Sequence, residues 1–420
     1  MKTATVAVLA VFAVLFAVTT FFESPRAVER ARRHFTDEQI AAGREHSFQR
    51  RMLFWSAQAV VLVFLGWAAL GGWGRTLADT FDAQTGGRWW ATLLLVGAVL
   101  FAAQTVLTFP ASAVAGWAVP RSWGLTDRSF PSWLGDYGKG LALSAVFGAV
   151  VVVGLYLLMR LMPRLWPAAA AGGAVVLGMT VAFLMPLIIA PLFNEFTPIA
   201  KTKWAHLEPR IAVLTKRAGV QVGEVLVADA SRQGRHTNAY FTGFGPTRRI
   251  VLYDTLLDSH SPEEVESVLA HEIGHWMHNH IAKGILLGAA GSLIGLFALS
   301  WLLGWAVGRE PFLLKSPADP AGLPLVMLAG FLAGWIAMPI EHAISRHFER
   351  QADAAALDLA GDPEVFIEAE KRLAADNISN VAPNPFAVWL FSTHPPAVER
   401  IEMAEQRLPP ERRAPEPAAP

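Results

Sequence analysis

"LAHEIGHWMHNHIAKGILLGAAG", residues Leu269–Gly291, opens as polar metal chemistry and closes as a membrane span. His271, Glu272, His275, His278 and His280 come close together, and from Gly284 onward the residues are glycine, isoleucine, leucine and alanine. On a helix, positions i and i+4 share a face, so His271 and His275 of H-E-x-x-H can both grip one Zn²⁺. Glu272 then lies about 100° round from His271, beside the metal, where it can take a proton from a zinc-bound water. An amphipathic helix with histidines on its polar surface would carry the same letters. Ser261-Pro262-Glu263-Glu264 supplies a capped start: Ser at N-cap, Pro at the first position, Glu at the third. The pattern predicts one helix from Pro262 to about Val307. Its polar turns then sit at membrane depth and must face protein and enclosed water, so His271, Glu272 and His275 should point into a wet, sealed cavity.

Outward from this stretch, composition agrees with a membrane protein. The chain has 420 residues, 53% of them hydrophobic and only 17% charged, against roughly a quarter charged in soluble chains. Mean hydropathy is +0.36. The 15 Trp and 25 Phe against 4 Tyr suit lipid contact and interfacial belts. Thirty-five basic and 35 acidic residues cancel, so no global field draws nucleic acid, and none is expected as a partner. With no cysteine, disulfides, thiolate nucleophiles and Cys-type zinc sites are excluded, and any metal must sit on histidine and carboxylate. The Ala-, Gly- and Arg-rich composition points to a bacterial source.

About seven stretches are long and apolar enough to cross a hydrocarbon core, which takes about 20 helical residues: Ala4–Phe22, Met52–Trp73, Trp89–Phe109, Leu141–Met162, Trp166–Phe193, Ile285–Val307 and Ala321–Ile340. The first has a Lys before an apolar run but no small-x-small cleavage site, and reads as a span. The first loop carries Arg26, Arg30, Arg32, Arg33, Arg44, Arg50 and Arg51, while the second holds only Arg75 and Arg88. That asymmetry puts the N-terminus outside, and the first loop, the segment 194–283 and the C-terminal region on the cytoplasmic side of a cell membrane, or of the endoplasmic reticulum in a eukaryote. Membrane lipid is thus an expected partner, and the loop arginines need do no more than set topology and meet anionic headgroups.

The expected division is residues 1–193 with five spans, 194–284 with the HEIGH helix, 285–340 with spans six and seven, 341–408 with a third ligand, and a disordered Pro/Ala tail at 409–420. Within the second block, Lys203–Ala218 has helical spacing, and Glu224–Ala228, Ala239–Gly243 and Arg249–Tyr253 read as strands. The expected fold class is therefore a mainly α membrane protein, about seven transmembrane helices with a small α+β unit carrying a short sheet. A catalytic zinc needs a third protein ligand and an open fourth position. Past the last span, Glu341, Ser345, Glu349 and Asp353 share a helical face. Glu349 and Asp353 form a natural pair, one on the metal and one orienting a ligand. A charged helix exit, with Arg346 and Arg350 pairing to carboxylates, explains the same letters. His342 and His347 are rival ligands that spacing does not eliminate.

Here the residues carry a resemblance. LAHEIGHWxxNH, then SRxxExQAD (345–353) and STHPPxxERI at Ser392–Ile401, resemble the type I CAAX prenyl proteases, polytopic zinc metalloendopeptidases of the gluzincin type. "APLFNEFTPI" (Ala190–Ile199), "HTNAYFTGFG" (His236–Gly245), "RIVLYDTLL" (Arg249–Leu257) and the basic stretch Phe21–Arg51 extend the likeness over nearly the whole chain. Arg350 departs from it, standing where the family often has an aromatic, and leaves Glu349 intact. The resemblance implies His271, His275 and Glu349 as ligands of one Zn²⁺ per chain, Glu272 as general base, and Asp353 as the carboxylate behind a ligand histidine. It implies His394 near the metal as oxyanion stabiliser, and Asn238 and Arg400 as substrate-binding. Independently, an edge strand can lay a peptide across a metal site by β-addition. His280 matches a family histidine and His278 does not; both read as supporting or solvated. Seven helices around a water-filled chamber are implied as well.

The expected function is hydrolysis of peptide bonds in membrane-associated or CAAX-type substrates, prenylated ones included, by a zinc-activated water with Glu272 as base. The alternative is a polytopic transporter or lipid-handling protein with a structural zinc, in which intramembrane polar residues mark a pathway. A structural site has no use for Glu272.

Overall fold

A computed structural model describes residues 2–242 and 249–413, with the backbone alone for residues 2–4. From the N-terminus, α1 (Lys2–Phe21) is followed by the short α2 (Pro25–Ala31) and the long α3 (Asp37–Leu70), which opens on a capping box between Thr36 and Gln39. Next come α4 (Trp73–Thr85), α5 (Trp89–Ala113), α6 (Val119–Ser122), α7 (Phe130–Leu161) and α8 (Trp166–Leu184). A segment with α9 (Glu208–Arg217) and α10 (Asp254–Ser259) leads into α11 (Pro262–Met277) and α12 (His280–Ala306). The chain finishes with α13 (Leu323–Ala360), α14 (Pro363–Asp376), α15 (Pro385–Phe391) and α16 (Ala397–Glu405). Seven helices among the described residues are long and apolar enough to cross a membrane, one for each of the seven stretches read from the sequence.

Six of these close a ring. Each of α3, α5, α7, α8, α12 and α13 packs on the next, and α13 returns to α3. α1 packs along this seam, its Phe12 ring 4.7 Å from Trp335 of α13 and 6.0 Å from Trp55 of α3. Six helices about 10 Å thick in a closed ring leave a gap of about one helix at the centre. Burial confirms that the gap is unfilled. Residues 101–118, 134–155, 172–192, 281–302 and 329–348, the middle stretches of five walls, contain no buried residue. A solid bundle would bury one stripe along each helix. Each run of about 20 residues spans about 30 Å, the hydrocarbon thickness, so the hollow runs the depth of the membrane.

The ring is held at its two ends by separate cores. At one end Leu62, Leu65, Leu93, Val96, Tyr156, Trp166, Leu303 and Leu323 cluster with the connection after α12. There Arg75 Nη2 donates to both Asp319 carboxylate oxygens, at 2.6 and 2.7 Å. At the other end α2, the start of α3, residues 196–242 and 249–277 and helices beyond Ala352 form a second core around Ile250, Leu252, Leu256, Leu269, Ile273 and Ile401. Arg30 bonded to Glu402 and His46 Nδ1 3.1 Å from the Ile378 carbonyl tie the first loop to the C-terminal region. The basic first loop, the 194–283 segment and the C-terminal helices therefore share one end of the ring.

The sheet at this end has the order β1-β2-β4-β3. β1 (Phe196–Pro198) pairs antiparallel with β2 (Glu224–Ala228), β2 parallel with β4 (Arg249–Tyr253), and β4 antiparallel with β3 (Ala239–Thr242), whose outer side is a free edge among the described residues. β1 carries only three residues, too few to show a period of two. Within Lys203–Ala218 the structure has a 3-10 turn (Ala205–Leu207) before α9, because Pro209 sets a new helix start. The expected unbroken helix from Pro262 to Val307 is instead two. Asn279 adopts the left-handed conformation, φ 54° and ψ 38°, which asparagine tolerates better than most residues, and the chain turns there from the roof into the ring. Of the expected disordered tail, residues 410–412 form a 3-10 turn with Arg412 paired to Glu364 at 3.0 Å; residues 414–420 lie outside the described residues.

Candidate active site

The HEIGH helix is positioned before any metal chemistry is considered. Its capping box is complete, with Glu264 N–H donating to Ser261 Oγ at 3.2 Å and Ser261 N–H to Glu264 Oε2 at 2.7 Å. One face, Val265, Leu269, Ala270 and Ile273, is fully buried. Gly274 lets α11 lie directly on α13: a Cβ there would stand 2.8 Å from the Ala352 carbonyl oxygen and 3.1 Å from the Ala355 Cβ. This close approach brings the end of α13 to the histidines.

His271 Nε2 and His275 Nε2 are 3.2 Å apart, and the Glu349 oxygens lie 3.2 Å from His271 Nε2 and 3.3 Å from His275 Nε2. Ligand atoms about 2.0–2.1 Å from a tetrahedral zinc are about 3.3 Å from one another, the spacing of the two Nε2 atoms and of each from its facing carboxylate oxygen, Oε2 for His271 and Oε1 for His275. Glu349 Oε2 is buried without a hydrogen-bond donor, a cost that a cation removes. These residues fit a metal. Among the described residues they are the group of His and carboxylates that could hold one; Glu341, His342 and His347 are not in it. His342 Nδ1 instead lies 2.7 Å from the Leu390 carbonyl, and Arg346 donates to the carbonyls of Val388 and Ser392, not to a carboxylate.

Each ligand histidine is held from behind. His271 Nδ1 is 2.7 Å from Asp353 Oδ1, so the proton sits on Nδ1 and Nε2 is free for a metal. Asp353 is fully buried and receives Arg400, whose Nη1 also donates to Glu370 at 2.7 Å. Burial opposes the Arg400 charge, but Asp353 and Glu370 outweigh it and hold the pKa above its usual value. His275 Nδ1 is 2.9 Å from His280 Nδ1, and His280 Nε2 is 3.0 Å from Gln351 Oε1. With His275 donating to His280, and His280 to Gln351, Nε2 of His275 is likewise free. His280 is stacked on Phe348 at 4.2 Å and 7°. Glu370 and Gln351 escaped the sequence reading. The signal for Glu370 was an acid on the apolar face of α14, in line with Phe366 and Leu373.

A cavity of about 910 Å³ opens on this centre. His271, Glu272, Asn238, His394 and Arg400 line it, and His275 does not. Burial pushes the Glu272 carboxyl above its usual range, with the neighbouring histidines pulling the other way. His394 Nε2 stands 3.3 Å from Glu349 Oε2, next to the triangle. Asn238 precedes the free edge of β3; its Oδ1 accepts from Ala239 N–H at 2.9 Å and its carbonyl from Tyr253 N–H at 3.0 Å.

Comparison with known proteins gives the family and the fold. Residues 201–408 match the family model of peptidase family M48, and residues 24–195 that of the CAAX prenyl protease N-terminal region, five membrane helices. A Bacillus subtilis protein named uncharacterized metalloprotease YhfN is 30% identical over 311 residues, 73% of this chain and 72% of its own length. CAAX prenyl protease 1 of Saccharomyces cerevisiae is 30% identical over 328 residues, 72% and 70% of the two chains. Among solved structures, the crystal structure of S. mikatae Ste24p is similar with a TM-score of 0.79 at 23% identity, covering 94% of this chain and 96% of that one, a likeness of fold.

Proposed function

The chain belongs to the type I CAAX prenyl protease family, peptidase family M48, a multi-pass membrane metalloendopeptidase, and from that premise we propose that it is a zinc enzyme with Glu272 as general base. The observation that carries this reading is the His271–His275–Glu349 triangle, of tetrahedral edge, with Glu272 beside it in the cavity wall. Zinc, when bound, supplies the Lewis acidity that makes water acidic and polarises the scissile carbonyl. Glu272 takes the proton of the attacking water and returns it to the leaving amine. Its burial favours the protonated form needed for that second step. His394, 3.3 Å from Glu349 Oε2, would stabilise the developing charge on the carbonyl oxygen. Asp353 and the His280–Gln351 pair keep the ligand histidines in the required tautomer.

The peptide lies extended along the free edge of β3, with Asn238 at the end nearest the metal. Arg400 holds Asp353 and Glu370 and lines the cavity in which the substrate would bind. Substrates are membrane-associated peptides or proteins, prenylated ones included, as the names of the relatives suggest. The arginine-rich first loop sets the N-terminus outside and the catalytic end in the cytoplasm of a cell membrane. A quenched peptide with purified protein in detergent tests the mechanism. Glu272→Gln should cut hydrolysis at least about 100-fold while zinc content stays at one per chain, and a chelator should abolish wild-type cleavage. Equal cleavage by wild type and Glu272→Gln would sink this reading and favour a structural zinc.

A further inference from the structure

Glu370 is a buried acid that neither the packing nor the reaction described above requires. It lies on the apolar face of α14 between Phe366 and Ala374, both in the core at the catalytic end, and is 6% exposed. Such a position ordinarily takes an apolar side chain, and a buried carboxylate is costly unless it is paired. The pairing comes from Arg400, whose Nη1 donates to Glu370 Oε2 at 2.7 Å. Burial pushes the Glu370 carboxyl above its usual range, and the guanidinium pulls against that. A buried ion pair adds little stability over an apolar isostere, so what Glu370 contributes must pass through Arg400.

Arg400 is engaged on every side. Nε donates to Asp353 Oδ2 at 2.9 Å and Nη2 to Asp353 Oδ1, the fork in which a guanidinium meets a carboxylate. Nη1 is taken up by Glu370, and the Phe366 ring lies 5.7 Å from Cζ. The side chain is 13% exposed, so it reaches the cavity wall with each nitrogen already bonded. Asp353 in turn accepts from Nδ1 of His271. The hydrogen bonds therefore run from Glu370 through Arg400 and Asp353 to a metal ligand. Charge decides what this line does. A carboxylate behind a ligand histidine raises the basicity of that ligand. Arg400 alone, forked on Asp353, would cancel the negative charge responsible; a second carboxylate on the guanidinium restores it. We propose that Glu370 is a positioning residue for the metal centre: it offsets Arg400, leaves the Asp353 charge to act on His271, and commits Arg400 to the zinc ligand instead of the peptide. This rests on the zinc reading of the site and adds a group that sets how tightly the ion is held.

The test is a double-mutant cycle on zinc affinity, read by competition with a chromophoric chelator on the full-length protein in detergent. Glu370→Gln keeps the shape and an acceptor for Nη1 while removing the charge. It should weaken zinc by about 10-fold, the lower end of the range for groups behind a ligand, because it acts through one more residue. In an Arg400→Met background the same change should leave affinity where it was, since the charge it offsets is gone. Glu370→Asp keeps the charge and should bind zinc more tightly than Glu370→Gln; the reverse order would make shape the cause and overturn the inference. An equal loss in both backgrounds overturns it too, because Glu370 then acts without Arg400. So does a Glu370→Gln protein with wild-type zinc affinity and a lower KM for a quenched peptide, in which Arg400 has been freed for the substrate. Wild-type zinc affinity in Glu370→Gln overturns this inference alone, whereas a wild-type protein that takes up no zinc overturns the zinc reading with it.

Discussion

Glu349 and Asp353 are one helical turn apart, and the structure gives them unequal positions. Glu349 Oε1 and Oε2 face the two histidine Nε2 atoms, whereas Asp353 lies behind His271 and is neutralised by Arg400. Removal of the first should take away a ligand; removal of the second should only loosen one. Glu349→Ala is therefore expected to purify without stoichiometric zinc, and Asp353→Asn to bind it about 10- to 100-fold more weakly. Competition with a chromophoric chelator measures both, independently of activity. Wild-type affinity in Glu349→Ala would show that another carboxylate or histidine holds the ion. Helical spacing left this choice open because Glu341, His342, His347, Glu349 and Asp353 all fit some alignment, and the resemblance chose Glu349. In the structure the contact of α13 with α11 separates them.

At the scale of elements, α11 on α13 is the contact that assembles the centre, and Gly274 is its closest point. A glycine in mid-helix ordinarily costs about 1 kcal/mol relative to alanine, so Gly274→Ala would stabilise an unconstrained helix. Here the added methyl meets backbone of α13, and overpacking of that kind costs about 1–3 kcal/mol. The second effect should win. Melting of the zinc-loaded protein is expected to drop, with weaker zinc binding, because Ala352 adjoins Asp353. A variant as stable as wild type would show that the helices can part at no cost. The break at Asn279 belongs to the same scale. Helical pattern runs through it unchanged, so the sequence reads as one helix; the left-handed residue is what turns α12 away from the roof.

For the molecule as a whole, the hollow ring is the feature with the most direct consequence. A helix packed in lipid and protein offers water no access, whereas one that walls a wet chamber does so on one face. The chain has no cysteine, so single cysteines can be placed without background. Across residues 291–294, in the middle of α12, at least one position should react with a water-soluble maleimide in protein held in membranes, and at least one should not. Uniform protection along that turn would mean that the ring is filled. The two cores at the ends explain how the gap survives: each side of the ring is clamped by apolar packing where water would otherwise part it.

The sequence by itself determined the seven spans, the HEIGH helix and its cap, three strands and the short menu of metal ligands, because each depends on local periodicity or spacing. Tertiary structure alone decided that His280 and Gln351 stand behind His275, and that Arg400 answers to Asp353 and Glu370; which carboxylate faces the histidines was beyond helical spacing and came from the resemblance. Tertiary structure also decided that six helices close a ring without filling it, and that Arg50 and Arg51 of a loop read as topological face the cavity. The physical reason is common to all of these. They depend on the packing of elements distant in sequence, and on where that packing leaves space, which no local pattern carries.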